Sequence, residues 1–490
     1  MTKFRALKIA AVVLVFCVAN VVGAAGQTLT TLASFDGTDG SSPLGPLVQG
    51  FDGNFYGTTA GGGTNSAGTV FTITPSGTVS TVYNFCAEPN CADGSFPEAG
   101  LVLGTDGNFY GTTENGGENN KGTSFKVTPG GIVTTLYSFC SRINCSDGSL
   151  PGAALLQATD GNFYGTTIQG GISNACTGGC GTVFRISPNG TFSSVHSFCT
   201  AGVSCPDGSE PFAALIQGSD GGFYGTTYLG GAVNFGTVFS ISRGGSFATL
   251  HSFMEPRGDG VNPMAGLVQG MDGRLYGTTS GCDFGLCNGN GTVYEIAKGG
   301  QVGGDYFNGG NGAAPFAALV QGPDGDFYGM TTSGGSGSFV DCDLRPGCGT
   351  IFRFGPGHLL TTLYNFCMET NCPDGYSPVN ALVQGTDGNF YGVTPAGGAD
   401  SNGTAFVFSV GFAPFVKALP SSGKTSTSVF ILGNNLTGTT NVTFNGTPAT
   451  FTVVSATEIT TSVPTGATSG TVQVTTPSGT LNSNVAFRVN

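Results

Sequence analysis

The sequence predicts an all-β fold, a seven-bladed β-propeller followed by an immunoglobulin-like β-sandwich. Three observations carry this expectation. A block reading LVQGxDGNFYGTT, then a Gly/Asn-rich stretch, then GTVFxI recurs between residues 47 and 410. Val, Thr, Phe and Tyr alternate in short runs punctuated by Gly, Pro, Asn and Asp, and long helical periodicity is missing. After Gly411 the block stops and Thr becomes dense.

The repeat sets the size and number of blades. Its Asp-Gly landmark falls at Asp52, Asp106, Asp160, Asp220, Asp272, Asp324 and Asp387, spaced by 54, 54, 60, 52, 52 and 63 residues. That length suits four short antiparallel strands. In the first unit, residues 47–50 read as an inner strand and Asp52-Gly53 as a hairpin turn of the favoured Asp-Gly type. Residues 54–59 and 68–74 form the next two strands, and 78–85 the outer one. The outer-strand pattern TLxxF has its first copy at residues 28–35, ahead of every inner strand, whereas the last unit lacks one. The N-terminal copy is therefore expected to complete the seventh blade and remove the open sheet edge. An open superhelix is the competing arrangement.

A second landmark, DGxxP, lies thirteen residues before each first one, at Asp39, Asp93, Asp147, Asp207, Asp259 and Asp374, with Asn311 in unit six. Asp and Asn both serve turns, so this offset marks the connection from an outer strand to the next inner one.

Residues 1–25 have another texture. Lys3, Arg5 and Lys8 precede an apolar run, and small residues follow near Ala24, as in a cleavable export signal. Removing that segment leaves 13 basic against 29 acidic residues, a net charge near −16. Such a surface repels phosphate backbones, which argues against nucleic-acid binding. No later stretch is long and apolar enough to span a bilayer. The mature protein is expected outside the cell or on its surface, as a monomer.

Fourteen of the fifteen cysteines follow the signal and form close pairs: Cys86-Cys91, Cys140-Cys145, Cys176-Cys180, Cys199-Cys205, Cys282-Cys287, Cys342-Cys348 and Cys367-Cys372. Even number and local pairing read as a disulfide framework in an oxidising compartment. Zinc would need four converging ligands, and each pair is placed in a unit of its own, so no metal or other cofactor is expected. Each bridge closes so short a loop that it contributes at most roughly 2 kcal/mol. All seven pairs fall in the longer connections of one face, where binding residues tend to sit.

The repeats resemble the GloVer (Gloeo/Verruco) tandem repeat of exported bacterial proteins, whose unit reads like LVQGxDGNFYGTTxxGGxxxxGTVF. The resemblance covers residues 28–410. It implies an exported, often surface-anchored protein and brings no catalytic residues with it. Residues 413–490 resemble an IPT/TIG immunoglobulin-like domain through Pro420 to Gly423, Ile431 to Leu436, Val442 to Gly446 and Val472 to Val474.

Single residues carry less. The Asp-Gly aspartates make turns more simply than they hold calcium, which needs six to eight converging oxygens. Gln49, Gln157, Gln217, Gln269, Gln321 and Gln384 share one inner-strand position, held by Leu103 in unit two. They are expected to pair with backbone between neighbouring blades. His196 and His251 replace an outer-strand tyrosine, and His358 has no evident partner. Arg257-Gly258-Asp259 overlaps the repeat's own landmark. The loop carboxylates Glu88, Glu114, Glu118, Asp283, Asp341 and Asp343 are the candidate binding residues. The sequence favours recognition of an extracellular polysaccharide or protein through the loop-rich face. A polysaccharide lyase or glycoside hydrolase on the same scaffold, and a structural envelope component, are the alternatives.

Overall fold

A computed structural model gives the structure of the chain and describes residues 26–202, 204–254, 259–281, 289–297, 300–336, 347–355 and 357–490. The expected export signal lies outside these residues. Among those described, no helix is long and apolar enough to cross a membrane.

Between Thr28 and Ser409 the chain forms seven four-stranded antiparallel sheets, each resembling a propeller blade. Six of them use four consecutive strands. The first is built from Val48–Gln49, Phe55–Thr59, Thr69–Ile73 and Val79–Asn84. The seventh takes Val383–Gln384, Phe390–Thr394 and Thr404–Ser409 from late in the chain and Thr28–Ser34 from its start. Thr28 lies opposite Ser409 and Ser34 opposite Thr404, so the early outer-strand copy completes this sheet.

The FYGTT motif is legible residue by residue. The Asp52 carboxylate accepts the Asn54 amide at 3.1 Å, closing the turn, and the Tyr56 hydroxyl at 2.8 Å. The glycine of YG makes room for the third strand's aromatic ring: a Cβ on Gly57 would lie 2.6 Å from Phe71. The second threonine stays within its sheet, with Thr59 and Thr69 hydroxyls 2.8 Å apart, and the same pairing recurs in all seven sheets. The first threonine reaches the next sheet, where the Thr58 hydroxyl donates to the Ala99 carbonyl at 2.8 Å.

The remaining contacts tie neighbouring sheets together. Tyr56 packs on Phe109, Tyr110 on Phe163, Tyr164 on Phe223, Tyr276 on Phe327 and Tyr328 on Phe390. Tyr391 then stacks on Phe55, with ring centroids 3.9 Å apart, returning the series to the first sheet. The glutamines do what their position predicts. Gln157, Gln217, Gln269, Gln321 and Gln49 each accept a backbone N–H from the preceding sheet, on Thr105, Thr159, Ser219, Met271 and Thr386. Among the described residues Gln384 Oε1 is buried without a partner, because the matching position is Pro323, which has no N–H.

Residues beyond Val416 form two further four-stranded sheets. One orders Lys417–Leu419, Ser428–Leu432, Glu458–Ser462 and Phe451–Val453; the other orders Thr447–Pro448, Asn441–Phe444, Val472–Thr476 and Gly479–Asn482. Val429, Ile431 and Ile459 from the first share a core with Val442, Phe444, Val472 and Val474 from the second.

This C-terminal module is seated on the Asp-Gly turns. Phe430 packs on Phe51 with ring centroids 5.0 Å apart, and the Thr457 hydroxyl donates to the Phe51 carbonyl at 2.7 Å. Phe415 N–H donates to the Thr386 carbonyl at 3.0 Å. Leu103, which replaces glutamine in the second sheet, lies in one apolar cluster with Phe51, Leu419 and Leu432. Where the polar link between sheets is missing, the module covers the apolar gap.

Candidate functional site

The opposite face carries the long connections. Bridges such as Ser95 with Asn115 and Ser149 with Gln169 join each incoming connection to the next sheet's second-to-third connection, so both kinds share one edge. Disulfides Cys86–Cys91, Cys140–Cys145, Cys176–Cys180, Cys199–Cys205 and Cys367–Cys372 staple these loops. Cys282, Cys287 and Cys342 lie outside the described residues. The expected isolation of each pair is overturned: the sulfurs of Cys176, Cys180, Cys199 and Cys205 all lie within 4.8 Å of one another. The two pairs occupy different connections of the third sheet, which share one edge and bring the bridges together.

The DGxxP aspartate braces the stapled connections that follow an outer strand. Buried Asp93 accepts the Ala87 amide at 3.0 Å, the Glu88 amide at 3.2 Å and the Tyr83 hydroxyl at 2.8 Å. Tyr137–Asp147 and Tyr364–Asp374 repeat the arrangement. Histidine substitutes for tyrosine in His196–Asp207, at 3.0 Å, and His251–Asp259, at 2.7 Å. Both histidines are thus used as turn-bracing partners, and Asp259 of the Arg-Gly-Asp tripeptide is engaged the same way. Arg257 and Gly258 lie outside the described residues. His358 does have a partner, the Glu295 carboxylate 3.7 Å away, which the sequence reading missed because it lies in another strand of a neighbouring sheet.

Of the six candidate carboxylates, Glu88 and Glu118 come together. They line a surface groove of ≈ 520 Å³ with Tyr83, Asp93, Tyr137 and Ser141, between the outer strands of the first two sheets. Glu114 is set apart from them and faces Glu98, which the sequence reading did not single out. Burial, and then the negative charge of Glu114, push the Glu98 carboxyl up to about 7. These two positions adjoin in other sheets as well. They hold Gly152 and Ile168 in the third sheet, where a Cβ on Gly152 would meet Ile168 at 2.9 Å. In the fourth they hold Phe212 and Tyr228, packed edge to face at 5.5 Å. Glu98 was detectable as the one acidic residue in the proline-to-leucine segment that otherwise carries apolar or small residues. Asp283, Asp341 and Asp343 lie outside the described residues.

The Gloeobacter/Verrucomicrobia repeat matches this chain over residues 18–178, 87–285, 173–406 and 282–484. The chain belongs to that repeat family. No curated protein matches it. Among solved structures, it is similar to the extracellular domain of a candidate hybrid two-component system from B. thetaiotaomicron, with 9% identity and a TM-score of 0.50. That alignment covers 84% of this chain and 45% of the other, so this member of the repeat family spans under half of that domain. A fungal alcohol oxidase of the AA5 family, in complex with copper, aligns over 94% of this chain and 98% of its own, with 14% identity and a TM-score of 0.50. At these identities the likenesses concern the fold alone.

Proposed function

We propose that this member of the repeat family is an extracellular or cell-surface binding protein. In this reading, residues 28–410 form a closed seven-bladed propeller and residues 413–490 an immunoglobulin-like module of the IPT/TIG kind. Residues 1–25 direct export and are removed, and the mature protein works as a monomer. Its ligand is an extracellular polysaccharide or protein, held at the loop-rich face.

One observation carries the reading: the two faces are built to different rules. The Asp-Gly turns are near-identical and partly covered by the C-terminal module. Several of the opposite loops are stapled, and these loops vary between sheets and present exposed apolar side chains such as Phe96, Ile143, Ile172 and Met368. A rigid scaffold that holds variable loops open is suited to recognition. The groove of Glu88, Glu118, Tyr83 and Tyr137 offers ring edges, hydroxyls and two carboxylates, a set that fits hydroxyl-rich or cationic groups.

The test is a glycan and protein array probed with the mature chain, beside Glu88→Gln/Glu118→Gln. Binding that the double variant weakens at least tenfold supports the reading. Binding that it leaves intact moves the ligand elsewhere on the face, and silence on both arrays removes the recognition role.

The Glu98–Glu114 pair favours a second reading, a polysaccharide-acting hydrolase or lyase. Two facing carboxyls, one held protonated near neutrality, can supply a general acid and a base. Release of reducing ends from a bound polysaccharide, lost in Glu98→Gln, would establish it.

A further inference from the structure

The four-sulfur cluster of the third sheet does more than a staple requires. In the first two sheets one bridge, Cys86–Cys91 or Cys140–Cys145, holds the outgoing loop. The third sheet adds Cys176–Cys180 from another connection, and all four sulfurs converge within 4.8 Å. Cys180, Cys199 and Cys205 are buried, and Cys176 packs against the same apolar cluster. The gathering recurs in the sixth sheet, where the sulfurs of Cys348, Cys367 and Cys372 also lie within 4.8 Å and are buried.

We propose that Cys176, Cys180, Cys199 and Cys205 form a latent tetrathiolate site that takes one zinc ion when its two disulfides are reduced. Tetrahedral zinc at a Zn–S distance of about 2.3 Å places its four sulfurs about 3.8 Å apart. Opening the two bridges lets each bonded pair part toward that spacing, within a group whose four sulfurs already lie within 4.8 Å of one another. Each disulfide takes two electrons and two protons from a dithiol, which leaves as its own disulfide. Zinc then displaces the thiol protons. Four thiolates in an apolar cluster would be untenable alone, and a divalent cation that binds all four relieves that cost. The same two loops are thus held by two covalent bonds in an oxidising medium and by one metal in a reducing one.

The experiment uses the mature chain with Cys367→Ser/Cys372→Ser, so that the sixth-sheet group cannot contribute. The protein is reduced with a dithiol, desalted anaerobically and titrated with Zn²⁺, or with Co²⁺ for its tetrahedral thiolate spectrum. Near-ultraviolet circular dichroism follows the fold throughout. About one equivalent of metal should be retained after gel filtration, falling to under about a tenth on adding Cys176→Ser/Cys205→Ser and staying near one with Cys86→Ser/Cys91→Ser. The oxidised protein should take none. The proposal is overturned if the reduced chain retains no metal, or if Co²⁺ shows only octahedral bands. It also fails if the Cys86 and Cys176 variants lose metal equally, or if reduction unfolds the chain and zinc does not restore it.

Discussion

The turn face and the loop face are made of the same strands and follow opposite rules. On the turn face each aspartate spends its oxygens on its own turn and on the tyrosine four residues later, and the glutamines join sheet to sheet. Little there can vary without loosening a neighbour. On the loop face a buried aspartate and a disulfide brace loops such as that of Cys86–Cys91 from within, which frees the loop's outer residues to change. In the proposed reading, the contrast separates stability and recognition onto two sides of one scaffold.

The largest effect should follow from removing the N-terminal strand. Deleting residues 28–34 strips the outer strand of the seventh sheet and should abolish a single cooperative melt in calorimetry. An unchanged melting temperature would mean that the sheets do not depend on a closed ring. Phe430→Ala removes the ring seated on Phe51 and should lower the stability of the whole by about 2 kcal/mol. Ligand binding at the loop face should be unchanged, and a loss of both would unite the two faces. The double change Cys86→Ser/Cys91→Ser should cost at most about 2 kcal/mol by denaturant melting. Its larger effect should fall on binding by the Glu88 groove.

Smaller effects sharpen the picture. Tyr294 takes the place of the phenylalanine found in the other sheets, and its hydroxyl is buried with no partner among the described residues. Tyr294→Phe should therefore raise stability by about 1 kcal/mol. Lys417, half-buried as a residue, directs its ammonium at the Gln384 carbonyl of the turn face. Burial there lowers its pKa from the usual lysine range to about 8. Between about 8 and the ordinary lysine value of about 10.4 the unfolded chain binds more protons than the folded one, so stability should rise with pH through that window. Below it the full cost of burying the charge is present. Lys417→Met should flatten this slope in melts at pH 7 and pH 10, and an unaltered slope would place its origin elsewhere.

Much of the fold was legible because the repeat writes each contact seven times. The Asp-Gly turn and the inner-strand glutamines recur at fixed offsets, so position carried their roles, whereas the partners of the threonines and of the YG glycine came only with the structure. What escaped lies between units or across modules. Glu98 meets Glu114 only once two connections fold side by side, and the Cys176 and Cys199 pairs converge for the same reason. The seat of the C-terminal module had a trace in the sequence, since Leu103 breaks the glutamine series where the apolar cluster with Leu432 forms. That break reads as a flaw until the covering surface is known.

The pairing of Thr28–Ser34 with Thr404–Ser409 also bears on synthesis. The strand made first must wait for nearly the last part of the ring, while every other sheet finds its partners close by in the chain. A chain stopped short of residue 404 keeps a bare strand and a bare sheet edge, the kind of surface that invites chaperones and proteases. In the proposed propeller, the pairing of the first blade strand with the last one marks the point at which no sheet edge is left bare.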